Sequence, residues 1–144
     1  MNTVPLRFVE FSFSSSLAIL ELVRPITEKL ADVAGFNADQ IYWIWLATQE
    51  ALNNALKHGN QMSDRKVVFF RIELQENALQ VTVRDQGDGF DPASVPDPTQ
   101  VENLLKSSGR GLFYIRQFMD QVSLSFDQGT QIVMIKHRPE QGAS

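Results

Sequence analysis

The sequence contains no cysteine. That excludes disulfides, thiolate nucleophiles and cysteine-ligated zinc. Histidine is nearly as scarce, and His58 and His137 are too few for a histidine-rich metal cluster. Basic charge is also short. Thirteen Lys and Arg stand against seventeen Asp and Glu, a formal net charge of −4, whereas a duplex-binding domain needs a basic face to neutralise phosphates. The one dense basic stretch, Lys136-His137-Arg138, lies near the tail and is expected to cap the end of a strand. Direct nucleic-acid binding is therefore not expected. Long apolar runs are missing as well: none approaches the roughly 20 residues that span a bilayer. The N-terminal MNTVPLRFVEFSFSSS lacks the basic-then-apolar order of a secretory leader. The expected compartment is the cytoplasm, with no membrane association.

What is present suffices for a core. Of 144 residues, 43% are hydrophobic, including ten Phe and two Trp, and a chain of this size buries roughly two-thirds of its unfolded surface. No internal repeat and no linker divides it, so residues 1–144 are read as one domain, with 139–144 as an unstructured tail.

Val9, Phe11 and Phe13 alternate with Glu10 and Ser12, the pattern of a half-buried strand. Ser14 to Ser16 offer N-caps for a first helix with apolar positions Leu17, Leu20, Val23, Ile26, Leu30 and Val33. Pro25 is expected to bend or split that helix, and Gly35 to end it. Asn37 caps a second helix, expected from Ala38 to about His58 with Gly59 just past its end. Residues 66–74 and 79–85 form a predicted hairpin across Gln75-Glu76-Asn77. From Asp85 to about Ser108 periodicity stops, and an irregular segment of that length in a small domain is commonly functional or disordered. A third helix follows Gly109-Arg110-Gly111 and runs to about Asp120. Two strands, 121–126 and 131–137, close the chain. Adjacent strands in runs favour antiparallel or mixed pairing with the helices on one face, a two-layer α/β sandwich of the α+β class.

Three features carry candidate chemistry. Glu50, Asn54 and His58 are spaced i, i+4, i+8 and share a stripe of the second helix. Such a stripe reads either as a solvated face or as a site in which the Asn oxygen ligates Mg²⁺ and the Glu accepts a proton. Leu79, Val81, Val83 and Asp85 share one face of a strand, which aims the Asp85 carboxylate inward. This is either a strand ending in an Asp-Gly turn or an acceptor for an exocyclic amino group, with Gly87 and Gly89 allowing close approach. Gly109-Arg110-Gly111-Leu112 opens a helix, where exposed N–H groups suit phosphate. Its alternative is a flexible loop end; no Gly-Lys-Ser/Thr follows, so it is not a P-loop.

As a set, these motifs resemble the GHKL ATPase superfamily and its Bergerat ATP-binding fold, a two-layer sandwich with a mixed, mostly antiparallel sheet. Within it they resemble the anti-sigma-factor serine-protein kinase family. Glu50-Ala51-Leu52-Asn53-Asn54-Ala55-Leu56-Lys57-His58-Gly59 matches the N-box, Asp85-Gln86-Gly87-Asp88-Gly89-Phe90 the first glycine box, and Gly109-Arg110-Gly111-Leu112 the second. The resemblance implies ATP and Mg²⁺ as cofactors, Glu50 as general base, Asn54 as metal ligand, Asp85 at adenine, the second box at the phosphates and a lid between the boxes. Thr130 stands where the family has a Thr near the adenine pocket. The resemblance further implies a homodimer that binds a sigma factor and phosphorylates a serine on a STAS-domain anti-anti-sigma factor. Two alternatives stand beside it: an ATP-gated binding protein with little kinase activity, and a stand-alone histidine-kinase-like ATPase domain. Tyr42 and Trp43, off the core stripe of the second helix, are read as either a contact surface or residues covered within the fold.

Overall fold

A computed structural model describes residues 5–87 and 111–140. Strand β1 (Phe8–Ser14) is followed by helix α1 (Ile19–Val33) and helix α2 (Ala38–Asn53), which continues as a π-helical turn (Asn54–Gly59). Strands β2 (Val67–Leu74) and β3 (Ala78–Arg84), helix α3 (Gly111–Phe118) and strands β4 (Gln121–Phe126) and β5 (Thr130–His137) complete the order. The five strands form one sheet in the order β1-β2-β3-β5-β4, and every described pairing is antiparallel.

Strand alternation sets which face is apolar, and the register lines those residues up across the sheet. Phe11 pairs with Phe70, Phe70 with Val83, Val83 with Ile132, and Ile132 with Leu124. Two residues along each strand, Val9, Ile72, Val81, Met134 and Val122 form a second row. Val68, Phe70, Ile72, Leu79, Val81 and Met134 are fully buried, each worth roughly 1.5–3 kcal/mol relative to exposure. The helices cover this side through Val23, Leu30, Ile44, Leu52, Leu56 and Ile115. The opposite sheet face carries charge: Arg71 donates to Glu10 at 2.6 Å and pairs with Glu73 at 3.3 Å, its guanidinium 4.0 Å from the Phe8 ring centroid.

Local chemistry explains the helix ends. Asn37 and Gln40 form a reciprocal capping box at the start of α2, with bonds of 2.9 and 3.0 Å. After α1, Gly35 at φ +95 lets its own N–H reach Asp32 O and the Phe36 N–H reach Ala31 O, closing a Schellman motif. The leftover Ala34 carbonyl accepts from Arg138 Nε at 3.1 Å, and a second nitrogen of the same guanidinium bonds Gln75 O. The basic tail stretch thus ties the end of α1 to the β2–β3 turn.

The first helix departs from expectation at its start. It starts at Ile19, beyond the serines; Ser15 instead donates to Lys66 O, and Ser16 Oγ accepts the Ala18 N–H. It runs through Pro25 without dividing. Its core face is Ile19, Val23, Thr27, Leu30 and Ala31, while Leu17 and Val33 are exposed. Thr27 belongs in that core because its hydroxyl donates to Val23 O, and Thr48 does the same to Ile44 O in α2. The second helix also differs. Its α-helical part stops at Asn53, and the last turn widens so that the Asn60 N–H bonds Ala55 O, five residues back.

Among the described residues no helix is long and apolar enough to cross a membrane.

Candidate functional site

The site is built where the end of α2 meets the C-terminal end of β3. Asp85 follows Val83 on the apolar face and is 5% exposed. Its backbone N–H donates to Thr130 O at 3.0 Å, which continues the β3–β5 ladder by one step. Its Oδ1 accepts the Gly87 N–H at 2.9 Å and the Thr130 N–H at 3.0 Å. Among the described residues none donates to Oδ2, which lies against the α carbon of Gly59. Burial pushes the Asp85 carboxyl up; the Thr130 and Gly87 bonds and the charge of Lys66 pull it back in part. A buried carboxylate is costly without donors, and two backbone N–H groups supply them here.

Two glycines permit this packing. A Cβ at Gly59 would overlap the Asp85 carboxylate, and a Cβ at Gly87 would overlap the Gly59 carbonyl. Here Gly87 of the first glycine box approaches protein backbone, and the widened turn before Gly59 delivers that backbone to Asp85. On the other flank, Gly129 at φ +135 turns β4 into β5 against the Asp85 carbonyl.

Beyond Gly59 lies a residue the sequence reading passed over. Asn60 is fully buried. Its Oδ1 accepts the Gln86 N–H at 2.7 Å, and its Nδ2 donates to Val67 O at 2.9 Å and Ser15 Oγ at 3.1 Å. Gln86 answers through its side chain, whose Oε1 accepts the Val67 N–H at 2.8 Å. The available signal was a Gly-Asn pair at a helix end, which read as an ordinary stop. Gln61 and Met62 follow at φ 52 and 55, a left-handed geometry costing roughly 1–2 kcal/mol per non-glycine residue.

Glu50 and Asn54 sit in a more open setting. Glu50 is half-buried and, with Leu46, Gln49, Tyr114 and Phe118, lines a cleft of about 180 Å³ between α2 and α3. Aromatic rings border it: Phe118 stacks on Trp43 (centroids 6.3 Å, planes 4° apart) and on Tyr114 (6.2 Å, 10°). Asn54 is half-buried and His58 exposed. Asn54 opens the π-turn, so the regular i, i+4, i+8 stripe holds from Glu50 to Asn54 but not on to His58. Tyr42 and Trp43 are 52% and 40% exposed, so of the two readings they are not covered within the fold. Gly111 begins α3. Gly89, Gly109, Arg110, the intervening lid and the Leu112 side chain lie outside the described residues.

The donor set can be tested against the cofactors the motifs imply. An inward carboxylate with one oxygen free of described donors suits an amino group. Among the described residues no cluster of three or more His, Asp or Glu side chains could hold a metal. A Mg²⁺ ion at Asn54 would therefore take most of its oxygens from phosphate and water, as this ion commonly does.

An antiparallel sheet backed by helices, with a glycine-packed carboxylate at one strand end and a Glu-Asn helix beside it, defines a nucleotide-binding ATPase domain. The chain belongs to the histidine kinase-like ATPase domain family, whose sequence profile matches residues 13–136, and ATP use comes with that membership. Among individual proteins, it is similar to the serine-protein kinase RsbW of Listeria monocytogenes (strain HCC23), 31% identical over 117 residues that span 75% of this chain and 73% of the relative. The serine-protein kinase RsbW of Staphylococcus aureus (strain MRSA252) is 27% identical over 137 residues, 90% of this chain and 86% of the relative. Two solved structures share the fold. The RsbU and RsbW domains of a Mycobacterium tuberculosis protein align over 97% of this chain and 35% of that one, with TM-score 0.63 and 16% identity. The mycobacterial sensor histidine kinase MprB aligns over 92% of this chain and all of its own, with TM-score 0.50 and 17% identity.

Proposed function

We propose that this chain is an ATP-dependent serine-protein kinase and anti-sigma factor of a partner-switching module. The observation that carries the reading is the Asp85 corner, in which a buried carboxylate is held by Gly87 and Thr130 against Gly59. It stands at the end of the helix that presents Glu50 and Asn54. The RsbW relatives, named serine-protein kinases, support the activity.

In this reading Asp85 receives the adenine amino group, with Gly87, Gly89 and Thr130 around the base. Asn54 holds Mg²⁺, and His58, Gly109, Arg110, Gly111 and Leu112 attend the phosphates. The bound Mg²⁺–nucleotide supplies an electrophilic phosphoryl group and neutralising charge. Glu50 accepts the proton of the incoming serine hydroxyl, which is the task of a general base within hydrogen-bond reach. The substrate is a STAS-domain anti-anti-sigma factor and the sequestered partner a sigma factor, so the chain regulates transcription without touching DNA. It works in the cytoplasm as a homodimer of single-domain chains.

The test is transfer of label from γ-labelled ATP to serine of candidate STAS-domain proteins. Glu50→Gln should lower transfer about 10²- to 10⁴-fold and leave ATP affinity nearly unchanged; transfer near the native rate would remove Glu50 from the role of base.

The exposure of Tyr42 and Trp43 favours a second reading, an ATP-gated binding protein with little kinase activity. Partner capture that needs ATP, is lost in Asn54→Ala and occurs without serine labelling would select it.

A further inference from the structure

The Asp85–Gly87 segment follows β3 as irregular backbone, and one last ladder bond, at Asp85, holds it to β5. Asp85 is anchored on one side by Thr130. On the other side, among the described residues, the main-chain N–H of its neighbour Gln86 is anchored by Asn60, at 2.7 Å. Asn60 is in turn held three ways. Its N–H closes the π-turn on Ala55 O, and its amide nitrogen donates to Val67 O and Ser15 Oγ. Its amide has a single workable orientation, because a flip would set Nδ2 against the Gln86 N–H and Oδ1 against the Val67 carbonyl. One buried side chain thus joins the end of α2, the stretch after β1, the start of β2 and the first glycine box. The backbone that follows it is strained at Gln61 and Met62, as happens where surrounding contacts over-determine a functional site.

We propose that Asn60 is the positioning residue of the nucleotide pocket. It clamps Gln86 to the end of the π-turn and so fixes the Asp85 carboxylate for the adenine amino group. The inference rests on the reading of Asp85 given above. A looser Gln86 lets the Asp85 side chain trade its Thr130 and Gly87 bonds for other rotamers. The loss then falls on recognition of the base, while contacts to ribose and phosphate stay.

The measurement is calorimetric affinity for ATP and for purine riboside triphosphate, which lacks the 6-amino group, in the native chain, Asn60→Ala and Asp85→Asn. The native preference for ATP should fall about tenfold in Asn60→Ala, the size of one lost hydrogen bond to a charged group. The analogue should bind within about twofold of native, a split that general destabilisation would not produce. The Gln86 and Thr130 amides should also exchange faster with deuterium in Asn60→Ala. An unchanged preference in a folded Asn60→Ala, beside a lost preference in Asp85→Asn, overturns the positioning role. A native preference in Asp85→Asn instead overturns the adenine assignment, and this inference falls with it. If Asn60→Ala does not fold, Ser15→Ala decides: it removes one acceptor of the Asn60 amide. A roughly twofold drop in preference supports the role, and none refutes it.

Discussion

Asp85 and Glu50 are the two carboxylates of the candidate site, and the fold treats them oppositely. Asp85 is sealed at a strand end, with Oδ1 held by two backbone N–H groups and glycines on either side. Glu50 rides on a helix face and borders an open cleft rimmed by stacked aromatic rings. On the proposed reading, the group that recognises one fixed shape is clamped by backbone, which has few alternative conformations, and the group that meets an incoming hydroxyl is left with room beside it.

The sharpest way to break this contrast is to neutralise each carboxylate in turn. Glu50→Gln should lower serine phosphorylation about 10²- to 10⁴-fold, the range typical of a lost general base, with ATP affinity nearly unchanged. Asp85→Asn should do the reverse, weakening ATP about ten- to a hundredfold in calorimetry. The same variant carries a stability signature. Burial raises the Asp85 carboxyl above the ordinary 3.8, so the folded chain keeps a proton that the unfolded chain has released. The stability this contributes is present below pH 3.8 and is lost as pH rises through the raised value. Asn stays neutral throughout. Without nucleotide, urea unfolding should therefore show Asp85→Asn gaining on the native chain as pH rises through that window, then levelling off. A gain that grows toward acid instead would contradict the burial argument.

A steric change tests the closed corner next. Gly59→Ala sets a methyl group against the Asp85 carboxylate and should cost about 1–3 kcal/mol of stability by overpacking, together with ATP affinity. The smallest effect is expected at the strained turn. Gln61→Gly relieves a left-handed residue at φ 52, and the net of relieved strain and added chain freedom should be a gain below about 1 kcal/mol. A loss in its unfolding midpoint would mean that the Gln61 side chain supports the turn.

Much of this was legible in the linear pattern. Alternation through Leu79, Val81 and Val83 placed Asp85 on the core face, and all four are buried. Asn37, three residues before Gln40, marked the start of α2, and Gln75-Glu76-Asn77 marked a hairpin whose Gln75 N–H bonds Ala78 O at 2.8 Å. The face of α1 was read only in part: Val23 and Leu30 are buried and Leu20 and Ile26 pack against the core, but Leu17 and Val33 are exposed, and Thr27 counts as polar until its hydroxyl finds the carbonyl one turn back. Tyr42 and Trp43 showed no period that told exposure from cover, since that depends on where α3 ends and Phe118 meets Trp43.

By itself, then, the sequence determined the two-sidedness of each element, the turns between them and the identity of the inward carboxylate, because these follow from side-chain periodicity and caps a few residues long. Only the tertiary structure decided that α2 widens into a π-turn, that Gly59 closes on Asp85 and that Asn60 spans three segments. The π-turn bond itself is local, but the contacts built on it join groups far apart in the chain, as in Gln86 to Asn60 (26 residues) and Asn60 to Ser15 (45 residues). Their partners come within reach only after the sheet and helices have packed.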